Sequence, residues 1–316
     1  MAMTRACVLC GGVGAARFLT GLVRVISPED IGCIVNTGDD IDVWGARVCP
    51  DVDIVTYTLA GIVDRDKGWG VAGDTFTCLE TMARLGEMNW FRLGDADLAL
   101  SLVRTRLLGI GRELEDATAE LVHRLGIAVT IVPMSNERVE THVTTPTGEM
   151  SFEEYFVREG CRPEMRKVRY AGADIARPSR GAERLLRESE VLLIAPSNPL
   201  ASIGPILAVP GMRELVERFD GPRIAVSPLI GGRTVKGPAD RMLRAVGFTP
   251  SVEGLATFYD GLIDGFVIDE VDSSSAPELE GRGLAVHALP SLMDTPARAE
   301  AVARGALELA KEVGRP

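Results

Sequence analysis

The stretch ACVLCGGVGAARFLTGL, residues 6–22, decides the fold. Its first five residues form a short apolar run, as in a buried strand, which stops at the turn GGVG of residues 11–14. From residue 15 to residue 25 the apolar side chains recur with helical spacing. A strand, a glycine turn and a helix in this order are typical of the first unit of an α/β fold.

Further apolar runs alternate with helical patterns along the chain and predict more buried strands. They lie at residues 31–35, 127–132, 191–195, 223–227 and 266–268. Alternation of this kind predicts a parallel sheet with helices on both faces, that is, a Rossmann-like doubly wound α/β fold.

One range fits this repeat poorly and predicts an insertion. It comprises residues 59–185, which leaves residues 1–58 and 186–316 as the Rossmann-like core. The insertion is expected to be mainly helical, with a small hairpin where the turn at residues 146–148 separates two strand-like runs. Its predicted helices span residues 74–85, 95–108 and 113–125, the first two with Asp74 and Asp95 as N-caps.

Composition excludes several classes of protein. A formal net charge of -11 opposes binding to nucleic acid. No apolar run reaches the roughly 18 to 20 residues that span a bilayer, and the chain begins in a strand-like segment rather than a signal peptide. The six cysteines lie mostly in apolar segments, which favours reduced thiols. We therefore expect a cytoplasmic protein that binds neither nucleic acid nor membrane.

The glycine turn is a candidate phosphate site. Gly11, Gly12 and Gly14 open a helix whose amides can face an anion, and Arg17 on the first turn can add a charge-assisted contact. Arg17 stands where a dinucleotide fingerprint has its third glycine, and Asn36 stands where that fingerprint has an acid, so a nicotinamide dehydrogenase is disfavoured. The alternative is a tight turn that binds nothing.

Carboxylates gather after the second predicted strand. They are Asp39, Asp40, Asp42, Asp51 and Asp53. Carboxylate oxygens together with substrate phosphates suit Mg²⁺. From the residues alone, metal binding and a purely structural role are equally supported.

Two further polar segments are candidates for ligand contacts. Ser197 and Asn198 follow a predicted strand in a loop whose shape is fixed by prolines, so their polar groups are available to a base, ribose or phosphate. Asp74 and Thr75 begin a predicted helix, and capping alone would account for them. The three histidines are scattered, which disfavours a zinc site or a Ser-His pair.

Seven motifs occur together in a specific order along nearly the whole chain. They are GGVGAARFLTGL (11–22), NTGDD (36–40), CPDVD (49–53), WGVAGDTF (69–76), RLGDADLALSLVR (92–104), SNPLASIGPIL (197–207) and SPLIGGRTVKGPAD (227–240). In this combination the chain resembles the 2-phospho-L-lactate transferase family of coenzyme F420 biosynthesis.

The resemblance implies a reaction. A guanosine diphosphate-linked acid, carrying a phospholactyl, phosphoenolpyruvyl or phosphoglyceryl group, donates that group to the terminal ribityl hydroxyl of the deazaflavin FO. GMP leaves and a coenzyme F420-0-type phosphodiester forms. The resemblance also implies Mg²⁺ as cofactor and a homodimer. Transfer of this type depends mainly on alignment and charge neutralisation, which agrees with a chain that offers carboxylates and a glycine turn but no histidine base.

The resemblance also implies roles for the candidate residues, with the insertion shaping the acceptor site. The implied diphosphate contacts are Gly11, Gly12, Gly14 and Arg17, and the implied metal ligands are Asp40 and Asp53. Asp39 or Asp40 would act on the FO hydroxyl, Ser197 and Asn198 would contact the guanosine side, and Asn36 would belong to the substrate site. Gly73, Asp74 and Thr75 would lie near the deazaflavin. Trp44 is displaced from the family's usual position just after the acidic pair.

An alternative of a different class remains open. A non-catalytic, nucleotide-sugar-binding regulator of the same superfamily could keep the glycine turn and lack the deazaflavin pocket. The CPDVD, GDTF and ERVETHV (137–143) motifs favour the enzyme.

Overall fold

The computed structural model describes residues 5–314. Its strands, in chain order, are β1 (Ala6–Cys10), β2 (Ile31–Val35), β3 (Ile41–Val43), β4 (Ala46–Val48), β5 (Thr130–Pro133), β6 (Glu140–Thr145), β7 (Gly148–Ser151), β8 (Lys167–Ala171), β9 (Val191–Ile194), β10 (Arg223–Val226), β11 (Leu229–Ile230), β12 (Arg233–Thr234), β13 (Gly265–Asp269) and β14 (Ala285–Leu289).

The α-helices of the same range are α1 (Gly12–Leu22), α2 (Pro50–Leu59), α3 (Thr77–Arg84), α4 (Asp95–Gly109), α5 (Leu114–Arg124), α6 (Arg180–Glu188), α7 (Gly204–Ala208), α8 (Met212–Glu217), α9 (Ala239–Ala245), α10 (Val252–Phe258), α11 (Ala276–Gly281) and α12 (Pro296–Val313). Short segments of 3₁₀ or π helix lie at Pro28–Asp30, Glu154–Arg158, Ala173–Ile175, Pro199–Ile203 and Glu270–Ser275. Among the described residues, no helix has the length and apolar character needed to cross a membrane.

Seven strands form one parallel sheet in the order β14-β13-β10-β9-β1-β2-β5. The Rossmann-like α/β fold predicted from the sequence is therefore confirmed. Strand β14 was missed by sequence reasoning because its residues are mostly half-buried and include His287, so it lacks a continuous apolar signal.

Alternate residues of β1 pack into cores on opposite faces of the sheet. Cys7 and Leu9 belong to one apolar cluster, while Ala6, Val8 and Cys10 belong to the other. Helices α1, α2 and α12 supply the second cluster, and α12 packs directly against α1. Burial on both faces explains why β1 is apolar at every position.

The chain reverses its direction across the sheet next to β1. It runs from β1 to β2 and β5 on one side and later returns to β9 on the other side of β1. Ser197, which follows β9, bridges this point: its Oγ donates to the carbonyl of Gly11 (2.9 Å) and accepts from the Gly11 amide (3.2 Å). Open α/β sheets bind ligands at such a switch point, beyond the carboxyl ends of the strands.

The range 59–185 contributes α3, α4 and α5, and its hairpin β6–β7 confirms the strand pair predicted from the sequence. A third strand, β8, completes a small antiparallel sheet. The same range also supplies β5, an edge strand of the central sheet, through its parallel pairing with β2. The bounds of a separate insertion stay a prediction.

Candidate functional site

A cleft of about 540 Å³ lies along the carboxyl edge of the central sheet. Its lining follows successive strands in their spatial order, from Ser291 after β14 through Ser227 after β10 and Ser197 after β9 to Gly12 after β1 and Asp39 after β2. The cleft therefore contacts the residues that follow five of the seven strands, all except β13 and β5, and the switch point lies between its two halves.

The three glycines of the turn are each required for a different reason. Gly12 has a φ of +73°, which favours glycine. At Gly14 a Cβ would lie 2.2 Å from the carbonyl oxygen of Pro196, and at Gly11 it would lie 2.2 Å from Oδ2 of Asp51. The turn therefore packs tightly against both the loop after β9 and the start of α2.

The predicted contacts of the loop after β9 lie at the cleft. Ser197 and Asn198 both line it. The side-chain Oδ1 of Asn198 accepts hydrogen bonds from the amides of Leu200 (3.0 Å) and Ala201 (3.2 Å), which fixes the start of the following helical segment. The structure thus brings these residues together with Gly11, as the sequence predicted for strand ends of one sheet.

Of the carboxylates that line the cleft, Asp51 and Glu153 lie close to Asp39, at the β2 end. The side-chain amide of Asn36 donates to Asp51 (2.8 Å) and to Asp39 (3.3 Å). Asn36 itself is fully buried behind them, so it orients carboxylates rather than lining the cleft.

Burial dominates the protonation of this group. It raises the pKa of Asp39 well above its ordinary value, and the charges of Asp51 and Glu153 raise it further. Burial also raises the pKa of Glu153 to about 8 and that of Asp51 to about 6, the latter against the hydrogen bond from Asn36. Carboxylates with perturbed pKa values in a cleft are typical of a functional site.

The carboxylates of Asp40 and Asp53 are paired with arginines. Oδ2 of Asp40 accepts from Arg47 (2.8 Å), and burial raises the Asp40 pKa to about 6 while Arg47 opposes that rise. Asp53 forms a buried ion pair with Arg104 and also accepts from the amide of Cys49 (3.2 Å). Asp53 lines the cleft, whereas Asp40 lies behind its wall.

The structure offers a partial fit for the magnesium ion expected from the sequence. Within residues 5–314, Oδ1 of Asp39 and Oδ1 of Asp40 are buried and have no hydrogen-bond partner. Such oxygens suit a hard cation that also takes water and phosphate ligands. Asp53 fits less well, because Arg104 already neutralises it. Across the described chain, no three His, Cys, Asp or Glu side chains gather closely enough to hold a metal ion by themselves.

Gly73, Asp74 and Thr75, expected near the acceptor, lie outside the lining of the cleft. Asp74 accepts from the amides of Thr75 and of two residues at the start of α4, so its carboxylate holds the polypeptide in place. Trp44 also lies away from the cleft, at the tip of the β3–β4 hairpin, and donates to the carbonyl of Met88 (3.0 Å).

Aromatic side chains line part of the cleft and were missed by sequence reasoning. They are Trp69, Trp90, Phe91, Phe152 and Phe156. The rings of Phe152 and Phe156 are stacked with centroids 5.6 Å apart, and Arg158 from the same segment lies 5.8 Å from the Trp90 ring. Segments far apart in sequence thus contribute these five rings to one cleft, and we call them the aromatic wall. No local spacing pattern in the sequence predicts it.

Among the polar residues of the cleft, Asp51, Glu153 and Lys236 received no specific role from sequence reasoning. Asp51 and Lys236 do lie within the motifs quoted above, so the motifs were the available signal. Glu153 lies next to the predicted hairpin and carries no local signal of its own.

Fold and cleft together define a class: a Rossmann-like α/β protein with an acidic and aromatic cleft at its switch point. The sequence model of the 2-phospho-L-lactate transferase CofD family matches residues 6–299. The chain therefore belongs to the 2-phospho-L-lactate transferase family, which confirms the resemblance found in its motifs.

Named relatives match over nearly the whole chain. A phosphoenolpyruvate transferase of Streptomyces griseus is 42% identical over 98% of this chain and 99% of its own length. One of Mycolicibacterium smegmatis is 37% identical over 96% and 98%. A 2-phospho-L-lactate transferase of Methanopyrus kandleri is 42% identical over 98% of each chain.

The fold also occurs in a solved structure. A UPF0052 family member from Bacillus halodurans superposes with a TM-score of 0.66 at 16% identity, covering 97% of this chain and 99% of that one. At this identity the likeness concerns the fold alone.

Proposed function

We propose that this transferase moves a three-carbon phospho-acid group from a guanosine diphosphate-linked donor to the terminal hydroxyl of the deazaflavin FO. GMP is released, and a coenzyme F420-0-type phosphodiester forms. One observation carries the proposal: a single cleft is lined by the glycine turn of residues 11–14, by the aromatic wall and by the loops that follow β9, β10 and β14.

The two halves of the cleft suit the two substrates. The aromatic wall offers flat apolar surfaces to a deazaflavin ring. The other half is lined by Ser197, Ser227 and Ser291, whose hydroxyl protons are donated within the protein and whose oxygens can accept from a nucleoside. Between them, the amides of the glycine turn and Arg17 can hold the diphosphate. The acceptor hydroxyl would then meet the transferred phosphorus above the start of α1.

The chemistry needs alignment of the hydroxyl and neutralisation of charge. The oxygen of the hydroxyl attacks the phosphorus that bears the acid, the bond from that phosphorus to the GMP oxygen breaks, and the hydroxyl proton passes to a carboxylate. Of the two carboxylates predicted for this step, Asp39 is the one that lines the cleft. Magnesium, when held through the partnerless oxygens of Asp39 and Asp40, would supply charge neutralisation.

The relatives named phosphoenolpyruvate transferase favour the enolpyruvyl group as the acid that is carried. Purified protein should be incubated with Mg²⁺, FO and each guanylated donor, namely the enolpyruvyl, lactyl and glyceryl forms, and the product identified by its mass. We expect the enolpyruvyl product to form fastest.

A pair of matched variants tests the site. Asp39→Asn should lose most of the turnover, whereas Asp42→Asn, an exposed position in the same segment, should retain it. Failure of all three donors to give product while guanosine nucleotides still bind would contradict transfer and favour a nucleotide-binding regulator.

A further inference from the structure

A lysine above the glycine turn has no role in the function proposed so far. Lys236 lies in the turn that follows the β11–β12 hairpin and lines the cleft together with Arg17. Within residues 5–314, neither of these two cations forms an ion pair with a carboxylate, whereas Arg47 and Arg104 near the same cleft do. Arg92, which also lines the cleft, has no ion pair either, but it lies over the Phe76 ring. Arg17 and Lys236 are therefore neighbouring cations of the cleft without a counter-charge, which needs an explanation.

Lys236 reaches across to a different loop. Its Nζ donates a hydrogen bond to the carbonyl of Lys67 (3.1 Å), in the loop between α2 and α3. A Cβ placed at Gly68 would lie 3.3 Å from this Nζ and 3.6 Å from Cγ1 of Val13. The ammonium group, Gly68 and the glycine turn are therefore packed together at one point of the cleft.

The electrostatics of Lys236 point to an anion. Burial lowers its pKa, and the positive charge of Arg17 lowers it further. The fold thus holds two like charges near each other at the mouth of the cleft, where Lys236 is exposed, and their repulsion costs free energy. The carbonyl of Lys67 accepts one hydrogen bond but carries no net charge to offset the repulsion. An anion bound between the two cations would offset it.

The distribution of charge in the cleft determines where that anion lies. Asp39, Asp51 and Glu153 gather at the β2 end, where burial raises their pKa values and, among the residues that the structure describes, no cation faces them to attract a phosphate. Arg17 belongs to the first turns of α1, an eleven-residue helix whose amides favour negative charge. The cations and the helix start thus favour the same position for an anionic group.

We propose that Arg17 and Lys236 bind the donor's diphosphate from two sides, and that Lys236 closes over it as a clasp. This inference rests on the proposed function. On binding, Nζ of Lys236 exchanges the carbonyl of Lys67 for a phosphate oxygen. Residues 64–70 and 231–238, which that hydrogen bond joins, then both lie against the bound diphosphate.

Calorimetric titration with GDP and with guanosine tests the clasp. Lys236→Met keeps the aliphatic stem and removes the charge. We expect it to raise the Kd for GDP by about tenfold or more, as for loss of one charge-assisted hydrogen bond. Its Kd for guanosine should stay unchanged, and Lys236→Arg should restore most of the GDP affinity.

Arg233→Met is the matched control, because Arg233 is exposed on the same hairpin and outside the cleft lining. It should bind GDP like the wild type. Equal GDP affinity in Lys236→Met and wild type would overturn the clasp and leave the proposed function intact. Equal weakening of GDP and guanosine would also overturn it, since that is the effect of a structural residue. No GDP binding by the wild type would remove both proposals.

Discussion

Asp74, which precedes α3, caps α4, and Asp95, which begins α4, caps α3. The carboxylate of Asp95, the first residue of α4, accepts from the amides of residues 77 and 78 at the start of α3 (3.1 and 2.9 Å). The carboxylate of Asp74, just before α3, accepts from the amides of residues 96 and 97 at the start of α4 (2.8 and 3.1 Å). The predicted N-caps are thus wrong in their partners, because each side chain reaches the neighbouring helix rather than its own.

Because the capping is crossed, removing one of these carboxylates should loosen the start of the neighbouring helix rather than the mutated residue's own. Asp74→Ala should destabilise the protein by about 1 kcal/mol, as for loss of an N-cap. The faster amide hydrogen exchange should appear at the start of α4, because that is where the lost acceptor was bonded. Mass-spectrometric exchange resolved to peptides measures this.

The reciprocal variant is the control for that experiment. Asp95→Ala should speed exchange at the start of α3 and leave the first turn of α4 less affected. Faster exchange confined to the mutated residue's own helix, in either variant, would contradict the crossed arrangement.

The glycine turn predicts an order among substitutions. Gly14→Ala should destabilise by about 3 kcal/mol, because its Cβ would overlap the backbone carbonyl of Pro196 and force the switch point apart. Gly12→Ala should cost about 1 to 2 kcal/mol, since it meets only the strain of a positive φ and has room for a methyl group. Urea unfolding of both variants measures the difference. A Gly12 variant less stable than the Gly14 variant would contradict this account of the turn.

The ion pair of Asp53 and Arg104 predicts a large effect on stability. Arg104 is 1% exposed, so Arg104→Met would leave the Asp53 carboxylate buried without its counter-charge. We expect a loss of about 3 to 5 kcal/mol in the free energy of unfolding. Arg124→Met, which removes an exposed pair with Glu120, should change stability little. Similar losses in the two variants would show that burial of the first pair is unimportant.

Glu153 predicts a dependence of stability on pH. Burial raises its pKa from an ordinary 4.5 to about 8, so the folded protein holds a proton that the unfolded chain has lost between these values. Its stabilising contribution is therefore complete below pH 4.5 and is lost as the pH rises through 8. Glu153→Gln, which keeps a neutral side chain, should gain stability relative to wild type as the pH rises across this window, by about 1.4 kcal/mol for each pH unit.

Thermal unfolding between pH 5 and pH 9 measures this gain. Glu164→Gln, at an exposed position a short distance along the chain, should follow the wild type at every pH. A constant difference between Glu153→Gln and wild type over the whole range would show that this carboxyl stays ionised in the folded protein.

Local patterns in the sequence predicted much of the fold. Strands β1 and β2 are buried on both faces and therefore read as continuous apolar runs, and the strand, turn and helix of residues 6–22 are encoded within one short segment. Strands β8 and β14 are mostly half-buried or exposed, so they carry no such run and were not predicted. The motifs of the family added the candidate ligand residues.

Local sequence patterns do not determine which way the carboxylates of α2 point. Asp51 and Asp53 are two positions apart on α2, so their side chains point in directions about 200° apart around the helix axis. One faces the glycine turn and the other meets Arg104. The rotation of α2 about its axis, where it packs on α1, determines which of the two carboxylates faces the turn and which meets Arg104.

The sequence by itself determined the parallel α/β sheet, the glycine turn and the family, because apolar periodicity or short contiguous motifs encode each of them. Only the tertiary structure decided which acids are neutralised by arginines, which rings form the aromatic wall, and which loop brings Lys236 over the turn. These depend on contacts between residues distant along the chain, and such contacts are fixed by packing rather than by any local pattern.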